Sequence, residues 1–287
     1  MFQHTLILYI TRMKKVLGIF RAARYSPGMV EHDRAILHAV ALHLKTAGYT
    51  VTLMCEEDFT SDTPIPDIVL HMARSPRMLD ILQGWQEAGC RVINPTEGVR
   101  NVERASLAAL CAAHHIPTPK TWTIPTSEPI INGITFPCWV KRTGDCAQEP
   151  NDVCRVSDTE AYIQCLAQFH TRGIDKVVVM EHKEGVCMKF YAVRGTDFFY
   201  CLPGYDKWSG VSLLSSSATR NTEYAETIKH SIVHQIEKIE YLPIIYGGDA
   251  IIDSDGTAYL IDLNDWPSFS SCREEAADAI SRLVIGG

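Results

Sequence analysis

Gly247-Gly248-Asp249-Ala250-Ile251-Ile252-Asp253-Ser254-Asp255-Gly256-Thr257-Ala258-Tyr259-Leu260-Ile261-Asp262-Leu263-Asn264-Asp265-Trp266-Pro267-Ser268-Phe269 reads as two apolar runs joined by an Asp/Gly turn, the pattern of a β-hairpin. Each run carries oxygen donors for a hard cation. The period of two in a strand sets Asp262 and Asn264 on one face, and pairing across the hairpin can bring Asp249 beside them. Any one of these residues alone reads as a solvated hairpin residue. Together they favour a shared Mg²⁺ site, because Mg²⁺ is held by one or two carboxylates with phosphate and water completing its shell.

The length of 287 residues suits two or three compact subdomains. With 46% hydrophobic and 21% charged residues the composition is that of a soluble globular protein. A net charge of -7 and a pI near 5.9 speak against a nucleic-acid surface, which needs a basic patch or stripe. The 10 cysteines show neither C-x-x-C nor Cys/His zinc spacing. Cys55, Cys111, Cys138, Cys187 and Cys201 lie in or beside apolar runs, where a thiol acts as a small core residue. This usage points to the cytoplasm. Residues 1–12 contain an apolar stretch too short to span a bilayer and lacking a basic leader, so they are expected to be an irregular extension, with Met13 a candidate natural start.

From Val16 to Asn94 strands and helices alternate: strands at Val16–Phe20, Thr50–Cys55, Ile68–His71 and Arg91–Ile93, with helices at Glu31–Ala47 and Met78–Ala88. That is a small doubly wound α/β domain. A link through Asn94-Pro95 leads to a helix expected over Val102–His114, stopped by Ile116-Pro117-Thr118-Pro119. Antiparallel strands follow at Thr121–Ile124, Cys138–Lys141, Val153–Val156, Val177–Met180, Met188–Val193 and Asp197–Cys201, interrupted by one helix at Asp158–Phe169. The Ser-rich segment Trp208–Arg220 is expected as a loop, and helices at Tyr224–Ile239 and Arg273–Leu283 flank the hairpin. The domains are accordingly expected at 13–97, 98–180 and 181–287.

Four motifs in this order resemble the ATP-grasp superfamily. They are Asn101-Val102-Glu103-Arg104 before Pro117-Thr118-Pro119; Phe136-Pro137-Cys138-Trp139-Val140-Lys141; Glu181-His182-Lys183-Glu184-Gly185 leading to Lys189-Phe190-Tyr191; and Asp249 with Asp262-Leu263-Asn264. The resemblance implies an ATP-grasp fold, in which an N-terminal doubly wound domain precedes two α+β subdomains that clamp ATP, and it implies ATP and Mg²⁺ or Mn²⁺ as cofactors. It assigns Lys141 and Arg104 to the nucleotide phosphates, and Val179 and Met180 to a hinge whose backbone contacts adenine. Glu181 or Glu184 would bind the ribose or the exocyclic amine. Lys189, with Arg220, would face the transferred phosphoryl group, and Asp249, Asp262 and Asn264 would hold the metal.

Two departures bear on the reaction. The segment after Lys141 has a single glycine where many members have a Gly-rich flap, and Asp262 stands where carboxylate-activating ligases usually place Glu. Asp262-x-Asn264 followed by an aromatic and Pro, with His182 seven residues before Lys189, is similar instead to the superfamily's inositol phosphate kinases. Such kinases need many cations around their substrate, and Arg21, Arg24, Arg74, Arg77, Lys207 and Arg220 are candidates. Arg21 and Arg24 follow the first strand, where α/β domains bind ligands. The leading expectation is a carboxylate–amine ligase that makes an acylphosphate of a small acidic substrate bound by Arg21, Arg24 and His182. A kinase acting on a hydroxyl is the alternative, and a non-catalytic nucleotide switch is a third class. Neither nucleic acid nor membrane is an expected partner; the oligomeric state is open, a dimer being compatible with it.

Overall fold

The computed structural model describes residues 13–130, 132–144, 149–204 and 218–287, the side chains of 218 and 219 excepted. The extension expected at residues 1–12, Lys207, most of the Ser-rich loop and part of the segment after Lys141 lie outside the described residues.

The first sheet holds β1 (Lys15–Phe20), β2 (Thr50–Cys55), β3 (Ile68–His71) and β4 (Arg91–Ile93), all parallel in the order β2-β1-β3-β4. The period of two in β1 explains why helices cover both faces. Val16 and Phe20 join the core around Ile36, Leu37 and Leu44 of α1 (Val30–Thr46), whereas Leu17 and Ile19 join Met78 and Leu82 of α2 (Pro76–Glu87). Pro76 sits in the first turn of α2, and the Ser75 hydroxyl accepts from the Met78 N–H, a conventional helix start.

The single helix expected over Val102–His114 is two helices, α3 (Thr96–Asn101) and α4 (Arg104–Ala113), with a turn at Val102 and Glu103. Pro95 begins α3 rather than linking past it, since a proline is tolerated where no intrahelical N–H is needed. The second sheet is antiparallel, β5 (Thr121–Pro125), β6 (Cys138–Arg142), β7 (Val153–Val156) and β8 (Lys176–Glu181), in the order β5-β8-β6-β7. Helix α5 (Thr159–Thr171), started by the Asp158 carboxylate accepting from Ala161 N–H, covers one face. The other face carries Trp139, Lys141 and Met180.

The third sheet is also antiparallel: β9 (Val186–Val193), β10 (Phe199–Pro203), β11 (Ile245–Ile252) and β12 (Ala258–Asp265), ordered β10-β9-β11-β12. One face packs on α6 (Ala218–Ile228), which runs through a π turn at Lys229–Val233 into α7 (His234–Ile236). The polar stretch before Tyr224, read from sequence as loop, is already helical from Ala218.

The last helix, α8 (Arg273–Gly286), leaves the third sheet and packs against α1. Its Ala276, Ala277 and Ile280 share one core with Ile36, Leu37, Tyr191, Val193 and Ile245. The amide of buried Asn94 reinforces this junction, accepting from Ile244 N–H (2.8 Å) and Ile245 N–H (2.7 Å) while donating to Ile245 O (2.7 Å).

His71 lies at the same junction, fully buried, with Nε2 at 2.7 Å from the Asn94 carbonyl. Burial pulls its pKa below the ordinary 6.5, against the raising effect of the Asn94 carbonyl and of Asp265. Above the unfolded value both states are neutral at this ring. Below it only the unfolded chain takes the proton readily, so stability falls as pH drops from about 6.5 toward the folded value. Denaturant midpoints compared near pH 7.5 and near pH 5.5 should fall more for the wild type than for His71→Gln; equal losses would remove this assignment.

Candidate active site

The hairpin β11–β12 does not pair in even register. Asp249 lies opposite Asp262, but Ala250 lies opposite Leu260, so Ile261 is an extra residue, a β-bulge. Its effect is a change of face. Ala258 and Leu260 point into the core under α6, and without the bulge Asp262 would follow them; with it, Leu263 returns to that core and Asp262 and Asn264 turn to the opposite face. Lys189 of β9 is the partner of Asp249 across the next ladder, on the same face, because its neighbours Met188 and Phe190 are the ones that enter the core.

The second sheet faces this surface. Lys141 Nζ of β6 lies 3.8 Å from Asp262 Oδ2 and 3.7 Å from Met180 Sδ, and Arg104, at the start of α4, places Nη2 3.3 Å from Asp262 Oδ2. The other Arg104 arm donates to the Arg142 carbonyl at 3.1 Å. Lys189 Nζ sits 2.6 Å from Asp249 Oδ1. Pro117 and Thr118 tie the sheets together at this point, with Leu260 N–H donating to Pro117 O at 2.8 Å and Thr118 Oγ1 to Leu260 O at 2.9 Å.

Three cations and two carboxylates thus meet in the cleft, with one positive charge in excess. Burial pushes the Asp262 carboxyl up, but Arg104 and Lys141 outweigh it and hold it below the usual carboxylate range. Burial pulls the Lys141 ammonium down, helped by Arg104 and opposed by Asp262. For Lys189 burial also pulls down, yet Asp249 prevails and the ammonium is raised. A triphosphate with its divalent ion offers the same charges in exchange, anions for the cations and a cation for the carboxylates.

Among the described residues no three His, Cys, Asp or Glu side chains gather as a metal cluster. The trio Asp249, Asp262 and Asn264 supplies two carboxylates and an amide oxygen instead. That all-oxygen donor set fits Mg²⁺ or Mn²⁺, which takes few protein ligands, and does not suit zinc.

The remaining sequence candidates are placed differently. Met180 faces the cleft beside Lys141, but Val179 is fully buried under α5, in the centre of its sheet between Trp122 and Val140. Its side chain is core, and the first residues past the ladder are His182 to Glu184. Glu181 is held by Lys183 (3.3 Å) and by Lys120 N–H (3.3 Å), and Glu184 is exposed. His182 Nδ1 accepts from Trp139 Nε1 at 3.0 Å. Trp139 was not a candidate; it shares the cleft face with Lys141 by the two-residue period, which was the signal available for it.

Arg21 is committed elsewhere. Nη1 pairs with Asp33 at 3.0 Å, and Nη2 donates to the carbonyls of Asp265 and Trp266, each at 3.1 Å. Arg74 pairs with the fully buried Asp265 carboxylate. These two guanidiniums pin the end of β12 to the N-terminal sheet. Arg24 is exposed, 4.6 Å over the Tyr25 ring, and Arg220 is exposed in the first turn of α6.

No protein-family model matches the chain, and no characterised protein matches it in sequence. Solved structures do match in fold. The D-alanine–D-alanine ligase of Bacillus anthracis complexed with ATP superposes with a TM-score of 0.69 at 14% identity, covering 95% of each chain. A RimK domain ATP-grasp protein of Sphaerobacter thermophilus gives 0.64 at 17% identity over 94% of this chain and all of that one, at 100%. The chain has the ATP-grasp fold. Within that fold it is similar over nearly its whole length to amino-acid ligases, the VanG D-Ala:D-Ser ligase of Enterococcus faecalis (TM-score 0.65, 15% identity, 94% and 98% covered) being another.

One consequence can be measured at equilibrium. Lys141→Met is expected to weaken Mg-ATP binding by roughly tenfold to 10²-fold, the worth of about 1.5–3 kcal/mol for a hydrogen bond to a charged group. Titration calorimetry would show it, with unchanged circular dichroism as the control for folding. Unchanged affinity would remove Lys141 from the phosphate site.

Proposed function

We propose that the protein is an ATP-dependent carboxylate–amine ligase acting on a small acid through an acylphosphate. The observation that carries this reading is the meeting of Lys141, Arg104 and Lys189 with the paired carboxylates Asp249 and Asp262, contributed by both sheets of the clamp. Lys141 and Arg104 bind the nucleotide phosphates, and Lys189 stands by the transferred group, with Arg220 as a second cation from α6. Asp249, Asp262 and Asn264 would hold Mg²⁺, which when bound neutralises phosphate charge as it shifts.

The nucleophile is the substrate's own carboxylate oxygen, so no side chain need serve. Attack on the γ-phosphorus releases ADP. The amine then attacks the acyl carbon, phosphate leaves, and the amine's proton passes to solvent. One feature weighs against a kinase of polyphosphates: Arg74, a cation counted for such a substrate, is paired with Asp265, while the Arg21–Asp33 pair bears on both readings alike. The similarity in fold to D-alanine ligases makes D-amino acids the first acids to test. The kinase reading is favoured by His182, held at the cleft by Trp139. No helix of the described residues is long and apolar enough to cross a membrane, and no disulfide joins the nine described cysteines.

The test follows ADP and phosphate separately while Mg-ATP is supplied with pooled D- and L-amino acids, small peptides and inositol phosphates. Equal ADP and phosphate, appearing only with acid and amine together, supports the ligase. ADP without phosphate, with the label retained on one acceptor, establishes a kinase and overturns the proposal.

A further inference from the structure

The charges of the cleft lie in one row across the third sheet. Lys189 of β9 is the cross-strand partner of Asp249 in β11, and Asp249 is in turn the partner of Asp262 in β12. Two carboxylates directly opposite each other on neighbouring strands repel. Cations hold this row at both flanks, Lys189 at one, and at the other Arg104 and Lys141, which reach in from α4 and from the second sheet.

The two flanks differ in closeness. Lys189 Nζ donates to Asp249 Oδ1 at 2.6 Å, a short charge-assisted hydrogen bond. Arg104 Nη2 stands 3.3 Å from Asp262 Oδ2, and Lys141 Nζ stands 3.8 Å from the same oxygen, too far for a hydrogen bond. Of the two carboxylates offered to a divalent ion, Asp249 is therefore the one held more tightly, and an ammonium holds it. The five groups together carry one positive charge in excess. A divalent cation arriving alone meets a ligand already bonded and a net repulsion.

A polyphosphate changes both conditions, because it supplies anions to which the three cations can turn. Lysine suits such an exchange at position 189. Its four-carbon stem and three rotatable donors let the charge swing, whereas a guanidinium presents a rigid fork. The Lys189 side chain is 38% exposed, which leaves it room to do so.

Building on the nucleotide and metal assignments proposed above, we propose that Lys189 is an internal counter-ion, which occupies Asp249 while no nucleotide is bound and so admits a divalent cation only together with nucleotide. Binding of the two is then strongly coupled. By reciprocity the cation strengthens nucleotide binding by the same factor as nucleotide strengthens cation binding. If Lys189 did no more than face the transferred phosphoryl group, cation binding without nucleotide would not depend on it.

The experiment titrates the full chain with Mn²⁺, read by the electron paramagnetic resonance of the free ion, with and without the non-hydrolysable nucleotide AMP-PNP. Wild type should bind Mn²⁺ roughly tenfold or more weakly without nucleotide than with it. Lys189→Met and Lys189→Gln should each bind Mn²⁺ alone roughly tenfold or more tightly than wild type does. Lys189→Arg, which keeps the charge, should stay as weak as wild type, and adding Asp249→Asn to Lys189→Met should remove the gain. Circular dichroism checks that each variant is folded. Should nucleotide recruit Mn²⁺ to wild type while neither neutral variant binds the ion alone any better, the counter-ion role is overturned and the metal assignment stands. Wild type binding Mn²⁺ as tightly without AMP-PNP as with it overturns the role likewise. Wild type taking up no Mn²⁺ in either condition removes the metal assignment itself, and the counter-ion with it.

Discussion

Asp262→Asn is expected to lower ligation at saturating ATP by roughly 10²–10³-fold or more, the loss seen when a preorganised electrostatic group is removed from a reacting centre. The substitution keeps the shape of the side chain but removes the charge that both sheets share. Arg104 and Lys141 then face each other across a neutral amide, so the clamp also loses the carboxylate that offsets their repulsion. The donor that would reach the divalent ion becomes a neutral amide oxygen at the same time, a weaker ligand for a hard cation. Release of ADP with acid and amine present measures the loss. Because the Asp262 side chain faces the cleft, circular dichroism should be unchanged. Retained turnover would remove both Asp262 and the metal assignment.

The second large effect is on stability. Asp265→Ala should cost about 3–5 kcal/mol, since it takes the carboxylate from the partly buried Arg74 guanidinium and the more distant of two carboxylates from Arg21, which keeps Asp33. Asp265 is wholly buried, Arg74 pairs with it directly, and Arg21 reaches both it and the carbonyls behind it. Arg74→Met alone should cost less, because Arg21 still partners the carboxylate. Combining Arg74→Met with Asp265→Ala should cost less than the two added, the mark of a coupled pair. Denaturant midpoints decide it, and strict additivity would show that the pair is not coupled.

The strands were readable where apolar residues run together, as in Ile68–Leu70 and Val92–Ile93, since β-branched runs bounded by turn residues leave little choice. The hairpin was readable from its turn. What placed Asp262 and Asn264 on the site's face was less so: they share a face by period, but which face depends on the bulge at Ile261, and a bulge is a property of two strands in register rather than of one sequence. Arg104, Lys141, Lys189, Asp249 and Asp262 are far apart in sequence and came together as motif order suggested. Arg21 and Arg74 looked available for substrate because their partner, Asp265, is remote in the chain and local pattern carries no sign of it. Val179 has its side chain in the core, as a residue flanked by strands on both sides and covered by a helix must, whereas the hinge expectation concerns backbone groups.

The packing of α8 on α1 has a bearing on how the protein is made. A ribosome delivers the N-terminal sheet and α1 before it delivers residues 273–286, so the side of α1 that packs on α8 emerges before its cover is made. Until that helix is made, the side of α1 that it covers is open to chaperones and to other nascent chains.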